Sequence, residues 1–315
     1  MNILLTGGCG YIGTNLTNAL LDLGHKVTVV DIMWFGNYLN SHKNLRIIQA
    51  DIRDIDKIPM DDVDTVIHLA NIANDPTGDL NSKLTWEVNA LASKFLVEKA
   101  IDCGVAQFIF ASSGSVYGVK EEPQVTEDLP LLPISDYNKS KMISERVLLS
   151  YQDKITLQII RPATVCGYSP RMRLDLSVSM LTMQALTNRV ITVFGGKQTR
   201  PNIHMNDMIG VYLHFLELGA KAPGIYNAGF ENISILDIAK KVTEYIPADI
   251  EITESNDPRS YRQNSDRLIG TGFTPEYGVE NGIKDVIKAY NAGTVKDEDH
   301  YYNMRIMKKM FVKDE

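Results

Sequence analysis

The first half of the chain alternates short apolar runs, rich in β-branched residues, with longer segments whose apolar residues recur at helical spacing. The short runs predict strands at 2–6, 26–31, 45–50, 65–69, 107–111 and 157–161. The longer segments predict helices at 11–23, 80–103 and 137–151. Strands joined by helical crossovers form a parallel sheet that is covered on both faces. The pattern therefore predicts an α/β fold with a doubly wound parallel sheet.

The strict alternation fades after Arg161 and Pro162. Mixed segments follow, separated by glycine and proline, and helices are predicted at 206–218, 235–245 and 279–290. We expect a first domain at 1–165, a smaller C-terminal α/β lobe at 166–295 and a charged tail at 296–315. Aromatic and methionine residues are scattered through the tail, which fits an interface helix and a frayed end equally well.

Composition narrows the classes of partner. The 315 residues carry a net charge of −7, which argues against a nucleic-acid or anionic-membrane surface because either would favour a basic face. No apolar run reaches the roughly 20 residues that span a bilayer. The three cysteines, Cys9, Cys103 and Cys166, lie far apart and lack the spacing of metal ligands. We expect a cytoplasmic protein without a metal site.

A glycine-rich turn follows the first predicted strand and opens the first predicted helix. Its glycines are Gly7, Gly10 and Gly13. Such a turn lets the backbone approach a pyrophosphate, and the helix that begins at Tyr11 and Ile12 directs its free N–H groups toward it. Asp31 ends the second strand, where a carboxylate binds an adenosine ribose and repels a 2′-phosphate. We therefore expect a Rossmann-type domain that binds NAD, with Asp51 and Ile52 at the adenine edge.

Tyr137 and Lys141 are one helical turn apart, so both side chains project from one face of a predicted helix. A free tyrosine has a pKa of about 10, and that pKa must fall by roughly 3 before the side chain acts as a base near neutrality. A nearby ammonium and the positive ring of bound NAD both stabilise the phenolate. Ser113 lies in a hydroxyl-rich stretch at the carboxyl end of the fifth strand, where doubly wound folds bind ligands. We predict that Ser113 holds the reacting oxygen and that Tyr137 takes its proton.

Further motifs accompany these residues. The fourth strand ends in His68-Leu69-Ala70, Asn89 lies in the next predicted helix, and Val116-Tyr117-Gly118 follows the serine-rich stretch. Together with the glycine-rich turn and the Tyr137/Lys141 pair, these motifs resemble the extended short-chain dehydrogenase/reductase family. The similarity covers nearly the whole chain, and it is greatest to the NAD-dependent nucleotide-sugar epimerases and dehydratases.

The resemblance implies an NAD-dependent enzyme in which Ser113, Tyr137 and Lys141 form the catalytic triad. The cofactor contacts that it implies in addition to the glycine-rich turn are Leu69, Ala70, Asn89, Tyr137 and Lys141, with Asn89 on the nicotinamide side. Ser113, Ser115 and Tyr137 are implied on the substrate side.

The second half supplies arginines that suit a diphosphate, because a planar guanidinium makes two parallel hydrogen bonds to phosphate. Arg200 lies in a segment that resembles the family's diphosphate-binding segment, and Arg259 is the second candidate, with Arg262 as a competitor. Arg171 and Arg173 lie in the loop that usually reaches the sugar, which resembles that of nucleotide-heptose C4 dehydrogenases. The expected partner is a nucleotide-diphosphate sugar.

Two departures from the family bear on the reaction. Gly114-Ser115 stands where 4,6-dehydratases carry an Asp-Glu pair, which argues against dehydration, and Thr164 stands where 4-epimerases often have Asn. We expect hydride abstraction at the sugar C4 and favour a 4-epimerase. The alternatives are a C4 dehydrogenase or 4-ketoreductase with net redox, and a non-catalytic NAD-binding regulator. Related enzymes pair the helices predicted at 80–103 and 137–151, which implies a homodimer.

Overall fold

The computed structural model describes residues 1–255 and 260–311. The strands are β1 (Asn2–Thr6), β2 (Lys26–Asp31), β3 (Leu45–Gln49), β4 (Thr65–His68), β5 (Gln107–Ala111), β6 (Thr156–Pro162), β7 (Thr164–Cys166), β8 (Val190–Phe194), β9 (Thr199–His204), β10 (Gly224–Ala228), β11 (Glu231–Ser234) and β12 (Asp249–Thr253). The α-helices are α1 (Tyr11–Asp22), α2 (Asp75–Leu80), α3 (Ser82–Trp86), α4 (Ala92–Asp102), α5 (Asp136–Leu149), α6 (Ser177–Asn188), α7 (Met205–Leu218), α8 (Ile235–Thr243), α9 (Asp266–Ile269), α10 (Val279–Asn291) and α11 (Asn303–Phe311).

Seven parallel strands form the central sheet in the order β3-β2-β1-β4-β5-β6-β10. The strand order reverses between β1 and β4. The connections that follow these two neighbouring strands therefore run in opposite directions and leave a crevice between the carboxyl ends of the strands. The predicted doubly wound α/β fold is confirmed. This crevice positions the site described below.

Apolar residues cover both faces of the sheet. In β1, Ile3 and Leu5 pack into the cluster that contains Leu16 of α1 and Phe215 of α7. Leu4 points to the other face, where it joins the cluster around α4. Because consecutive strand residues face opposite sides, a strand buried on both sides has to be apolar throughout, which explains the continuous apolar runs in the sequence.

The second half of the chain builds two smaller sheets and returns one strand to the large one. β11, β9 and β7 form a three-stranded sheet, and β12 pairs with β8. Helices α6, α8 and α10 enclose a separate apolar cluster beside these strands. β10 joins the central sheet beside β6, so the chain crosses between the lobes more than once. The division at residue 165 stays a prediction.

The prediction of a single helix at 80–103 is wrong. Asn81 ends α2 and its side chain caps α3 by accepting from the N–H of Leu84 at 3.0 Å. A π-helical segment, Glu87–Leu91, then leads into α4 and buries Asn89. A π-helical insertion in a helix commonly marks a functional position, since it redirects one side chain. The apolar periodicity runs through all four segments and therefore conceals the breaks.

The other predicted strands and helices are present, with ends that coincide or differ by at most two residues. The sequence pattern missed α6, α9 and six strands, which are β10 at the edge of the central sheet and the five strands of the two smaller sheets, β7, β8, β9, β11 and β12. In the predicted tail, α11 buries Met307 against the central core, so the described part of the tail is a packed helix.

A buried ion pair ties α5 to the central sheet. Glu145 accepts from Arg161 of β6 through two hydrogen bonds, at 3.0 Å from Nε and 2.7 Å from Nη2, and both side chains are almost completely buried. Ser112, just after β5, also donates to the Glu145 carboxylate. Arg161 donates in addition to the hydroxyl of Tyr117 at 2.7 Å. The pair thus joins one face of α5 to the ends of β5 and β6.

Replacing Glu145 with Ala should reduce the free energy of unfolding by roughly 3–5 kcal/mol, because Arg161 would remain buried without its carboxylate. Glu98, whose exposed partner Lys94 lies one turn away at 2.7 Å, provides the control. Glu98→Ala should cost about 1 kcal/mol or less. Urea unfolding followed by circular dichroism measures both variants, and equal losses would contradict the structural role of the buried pair.

Candidate active site

A cavity of about 530 Å³ opens at the crevice between the carboxyl ends of β1 and β4. The residues predicted from the sequence that line it are Gly7, Gly10, Tyr11, Ile12, Gly13, Asp31, Asp51, Ile52, Leu69, Ala70, Ser113, Ser115, Tyr137, Arg171, Arg173 and Arg200. Lys141 and Asn89 are buried beside it. Arg259 lies outside the described residues. The fold thus brings together residues that are up to about two hundred positions apart in the chain.

The glycine-rich turn is packed too closely for side chains. A Cβ on Gly13 would lie 2.1 Å from the carbonyl oxygen of Gly7, and Gly7 itself has a φ of +75°. A Cβ on Gly7 would lie 2.6 Å from the backbone nitrogen of Ala70, at the end of β4. Gly10, the N-cap of α1, offers no side-chain cap to the first turn of that helix. This backbone cradle fits the pyrophosphate of a dinucleotide.

Asp31 marks the other end of the cradle. Its carboxylate accepts from the backbone N–H of Cys9 at 3.0 Å and from that of Met33 at 2.7 Å. Burial raises the pKa of Asp31, while these two N–H donors oppose the rise. The carboxylate is therefore held in the cavity lining, in the position where a ribose diol can donate to it.

Asp51 is already engaged. Arg53 binds its carboxylate at 2.7 Å from Nη2 and also binds Glu87 at 2.6 Å. Ile52 is buried in the core and lines the cavity beside it. The two residues form a wall next to Asp31, and their predicted contact with adenine stays a prediction.

Tyr137 lies on α5 and lines the cavity together with Ser113, which lies two residues after the end of β5. Burial raises the pKa of Tyr137 to about 12. The Ser113 hydroxyl and the Arg173 guanidinium act in the opposite direction, and the Asp75 carboxylate adds to the rise. A tyrosine in these surroundings stays protonated near neutral pH and needs additional positive charge nearby before it acts as a base.

Lys141 is one turn along α5 and fully buried. Its ammonium donates to the carbonyl oxygen of Ala111 at 2.7 Å and lies 4.8 Å from the ring centroid of Phe110. Burial lowers the pKa of Lys141 to about 7, and the charge of Glu145 partly offsets that effect. Lys141 is thus hydrogen-bonded to the last residue of β5, which directly precedes the serine-rich stretch.

Asn89 fixes the loop that follows β4. Its side-chain oxygen accepts from the N–H of Ile72 at 2.8 Å, and its side-chain nitrogen donates to the Ile72 carbonyl at 3.2 Å. The same nitrogen donates to Ser140 of α5 at 3.1 Å. Asn89 therefore shapes the cavity wall through Ile72, and its predicted place beside a nicotinamide stays a prediction.

Arg171 and Arg173 occupy different parts of the cavity. Arg173 forms a two-point ion pair with Asp175, at 2.9 and 3.0 Å, and acts on Tyr137. Arg171 lies at the Asp31 end, where its guanidinium carbon is 4.2 Å from the ring centroid of Phe35. Burial lowers the pKa of Arg171 to about 10, and the nearby Arg173 contributes.

The C-terminal helix closes this end of the cavity. Arg171 donates to the side chain of Asn303, the first residue of α11. Asn303 and Met307 line the cavity, and the ring of Phe311 lies 5.3 Å from that of Trp34 in an edge-to-face contact. The sequence predicts either an interface helix or a frayed end for this tail, because its aromatic and methionine residues show no partner until the chain has folded.

Of the three phosphate-binding candidates Arg200, Arg259 and Arg262, the first and the last lie in the described residues. Arg200 lies on β9 and lines the large cavity. Arg262 is exposed and lines a separate small depression with Lys197 and Asn232. Sequence reasoning also missed two residues that line the cavity, Asn74 in the loop after β4 and Asp75 at the start of α2.

Two other features, a metal site and a membrane-spanning helix, are absent from residues 1–255 and 260–311. The described side chains include no group of three histidine, cysteine or carboxylate residues that would hold a metal ion. In the same part of the chain, every helix is too short or too polar to span a bilayer.

The chain belongs to the NAD dependent epimerase/dehydratase family, which matches residues 3–229. The predicted family is confirmed, and with it the prediction of an NAD-dependent enzyme.

Individual relatives are similar over nearly the whole chain. UDP-glucuronic acid decarboxylase 1 of Danio rerio is 27% identical over 98% of this chain and 76% of its own length. UDP-glucose 4-epimerase of Lactobacillus helveticus is 27% identical over 91% of this chain and 95% of its own. The solved structure of UDP-glucuronic acid 4-epimerase from Bacillus cereus, in complex with UDP-glucuronic acid and NAD, is 25% identical and superposes with a TM-score of 0.81 over 93% of this chain and 99% of that one.

Replacing Asp31 with Ala should weaken NAD binding much more than NADP binding, because the carboxylate is the group expected to accept from the adenosine ribose and to repel a 2′-phosphate. Loss of a hydrogen bond to a charged group corresponds to roughly a tenfold or greater rise in the Kd for NAD. Isothermal titration of both cofactors measures the change. An equal loss for both would contradict the assignment.

Proposed function

We propose that the protein is a nucleotide-sugar 4-epimerase that oxidises the sugar at C4 and reduces it again on the opposite face. The observation that carries the proposal is the geometry of one cavity, in which Asp31 and the glycine-rich turn lie at one end and Ser113 and Tyr137 lie at the other. The relatives named above that act as 4-epimerases support the choice of reaction.

The substrate class follows from the cavity and from the relatives. Two of the relatives carry UDP-glucose or UDP-glucuronic acid in their names, and the Bacillus cereus enzyme was solved with its UDP-sugar bound. Arg200 and Arg173 bring cationic side chains to the same cavity, which suits a diphosphate. We assign Arg200 to the substrate diphosphate and Arg173 to the sugar side, next to Tyr137. Arg259 stays a candidate for a second diphosphate contact.

Bound NAD would supply the acceptor for the C4 hydride and return it later. Tyr137 takes the proton of the C4 hydroxyl and gives it back once the keto-sugar has turned its other face. Ser113 hydrogen-bonds the same oxygen in both steps. Lys141, which is bound to the Ala111 carbonyl, contributes positive charge from behind the strand end. Because the proton and hydride both return, turnover has no net redox.

Dehydration is disfavoured because it needs an acid and a base beside the sugar in addition to the tyrosine. Gly114 and Ser115 occupy the positions where such carboxylates are expected, and Gly114 sits against the side chain of Gln263. The C4 dehydrogenase or ketoreductase uses the same residues as the epimerase and differs in releasing the keto-sugar. Measurement of net cofactor reduction distinguishes them.

We also propose a cytoplasmic homodimer. Leu91, Phe95 and Ile143 are large apolar side chains exposed on the π-helical segment, α4 and α5. α4 and α5 pack against each other, so these side chains belong to neighbouring elements that a second copy can cover. The three cysteines are free, which is consistent with a reducing compartment.

The first functional test incubates the purified protein with UDP-, GDP-, dTDP- and CDP-sugars. We expect one of them to yield its C4 epimer, detected by NMR, without a rise in absorbance at 340 nm. A 4-keto product with stoichiometric NADH would replace the epimerase with the dehydrogenase. Lack of any product across the panel and across the corresponding keto-sugars would favour the non-catalytic regulator.

Replacing Tyr137 with Phe should lower kcat by roughly 10²–10⁴-fold, the range that a positioned acid–base group contributes. The Kd for NAD should change little, because the phenyl ring keeps its packing. Steady-state kinetics and cofactor titration measure the two quantities. Retained turnover in Tyr137→Phe would contradict the proposed mechanism. Parallel loss of NAD binding would indicate damage to the cavity.

A further inference from the structure

The part of the cavity around Tyr137, called here the sugar end, contains a closed ion pair. Arg173 binds Asp175 through two hydrogen bonds, from Nε at 2.9 Å and from Nη2 at 3.0 Å. Both residues line the cavity, although only 11% of the Arg173 side chain and 14% of the Asp175 side chain are exposed. Burial acts to raise the pKa of Asp175, but the Arg173 charge outweighs it and holds that pKa below its ordinary value. The charge of Arg173 is therefore already balanced by a carboxylate of the protein.

Asn74 holds Asp175 from the loop after β4. Its side-chain nitrogen donates to Asp175 at 3.3 Å, and its side-chain oxygen accepts from the N–H of Thr77 at 3.1 Å. The backbone of Asn74 has φ +74° and ψ +161°, a region that residues other than glycine rarely adopt. Such backbone persists where the surrounding contacts impose it, and it concentrates at ligand sites. Asn74 thus connects Asp175 to the first turn of α2.

A second carboxylate, that of Asp75, lines the cavity at the start of α2. Its Oδ1 atom accepts from the side-chain nitrogen of Asn138 at 2.7 Å and from the hydroxyl of Ser135, two residues that flank Tyr137 in the sequence. Helix α2 packs directly on the tyrosine, since a Cβ on Gly78 would lie 2.9 Å from the Cβ of Tyr137. Asp75 is therefore a fixed negative neighbour of the proposed catalytic group.

The sugar end carries more negative than positive charge. Among the described side chains that line it, the carboxylates of Asp75 and Asp175 stand against the single guanidinium of Arg173. Arg171 lies at the proposed cofactor end, and Arg200 is assigned to the diphosphate. An additional anion at the sugar end would meet two like charges in a place where little water screens them, which makes the repulsion strong.

The proposed reaction determines which sugar atom meets these charges. Hexoses and hexuronic acids differ at C6, which is a hydroxymethyl group in the former and a carboxylate in the latter. C6 is bonded to C5, the ring neighbour of C4. A sugar that presents its C4 hydroxyl to Tyr137 therefore carries its C6 group into the space around the same tyrosine, where α2 and the Arg173/Asp175 pair lie.

We propose that Arg173, Asp175 and Asp75 select a nucleotide sugar that carries no carboxylate at C6. This inference rests on the proposed function, which places C4 at Tyr137. A C6 carboxylate could bind Arg173 only by displacing Asp175, which would leave a buried carboxylate without its cation. A C6 hydroxyl can donate to a carboxylate and accept from Nη1 of Arg173 while the ion pair stays intact. In this respect the chain departs from the two relatives above that are named for UDP-glucuronic acid.

The test compares the binding of matched neutral and acidic sugars. Protein saturated with NADH is titrated calorimetrically with UDP-glucose, UDP-glucuronic acid, GDP-mannose and GDP-mannuronic acid, and with UDP and GDP as references. NADH has no capacity to accept a hydride, so the bound sugars stay unconverted. For the nucleotide that binds, the Kd of the acidic sugar should exceed that of the neutral sugar at least about tenfold.

The outcomes separate this inference from the proposed function. Equal Kd values within a pair, or tighter binding of the acidic sugar, would overturn the selection for a neutral C6 group and leave the 4-epimerase proposal standing. Lack of binding by both UDP and GDP, and by all four sugars, would contradict the nucleotide-sugar site itself, and this inference with it.

Two variants test the residues. Asp175→Asn removes the competitor for Arg173, and the ratio of acidic to neutral Kd should fall about fivefold or more. Asp75→Asn removes the other carboxylate without changing the ion pair and should also lower the ratio. Asp54→Asn is the matched control, since Asp54 pairs with Lys57 at 2.9 Å on the exposed surface, and its ratio should stay at the wild-type value. An unchanged ratio in both cavity variants, or an equal fall in Asp54→Asn, would show that these carboxylates do not select the sugar.

Discussion

Burial of charged groups along one face of α5 is the constraint on which the site depends. Lys141 and Glu145 are each one turn from the preceding functional residue on that face, and both are held by partners at the ends of β5 and β6. A buried charge without a partner is costly, so the helix has little freedom to slide or rotate relative to the sheet. Tyr137 projects from the first turn of the same helix. Its position relative to Ser113 is therefore set deeper in the core, by the Glu145–Arg161 ion pair and by the hydrogen bond of Lys141 to Ala111.

The opposite end of the cavity, at the glycine-rich turn, is shaped by close backbone packing. The glycine-rich turn approaches the end of β4 so closely that side chains are excluded, and backbone atoms form the surface. Arg171 and α11 then close that surface from the C-terminal side, through Asn303 and Met307. The proposed cofactor end of the cavity thus combines a local motif with a packed helix from late in the chain.

The sequence predicted the central sheet well because strands buried on both faces need continuous apolar runs, as in β1 and β5. It also predicted Ser113, Tyr137 and Asp31 as site residues, and the fold brings all three to one cavity. The breaks between α2 and α4 could not be predicted, since Asn81 and the π-helical segment interrupt the hydrogen bonding without interrupting the apolar period. The contact between Asn303 and Arg171 joins residues far apart in the chain, and no local pattern reveals such a contact.

The electrostatics of Tyr137 explain why a tyrosine with opposing neighbours suits a reversible reaction. A group that first removes a proton and later returns it works best when neither form is strongly favoured. Burial and Asp75 favour the neutral phenol, whereas Ser113 and Arg173 favour the phenolate. Burial is the strongest of these influences. In the proposed mechanism, the positive charge of bound NAD would act together with Ser113 and Arg173, so it would favour proton removal in the complex that can also accept the hydride.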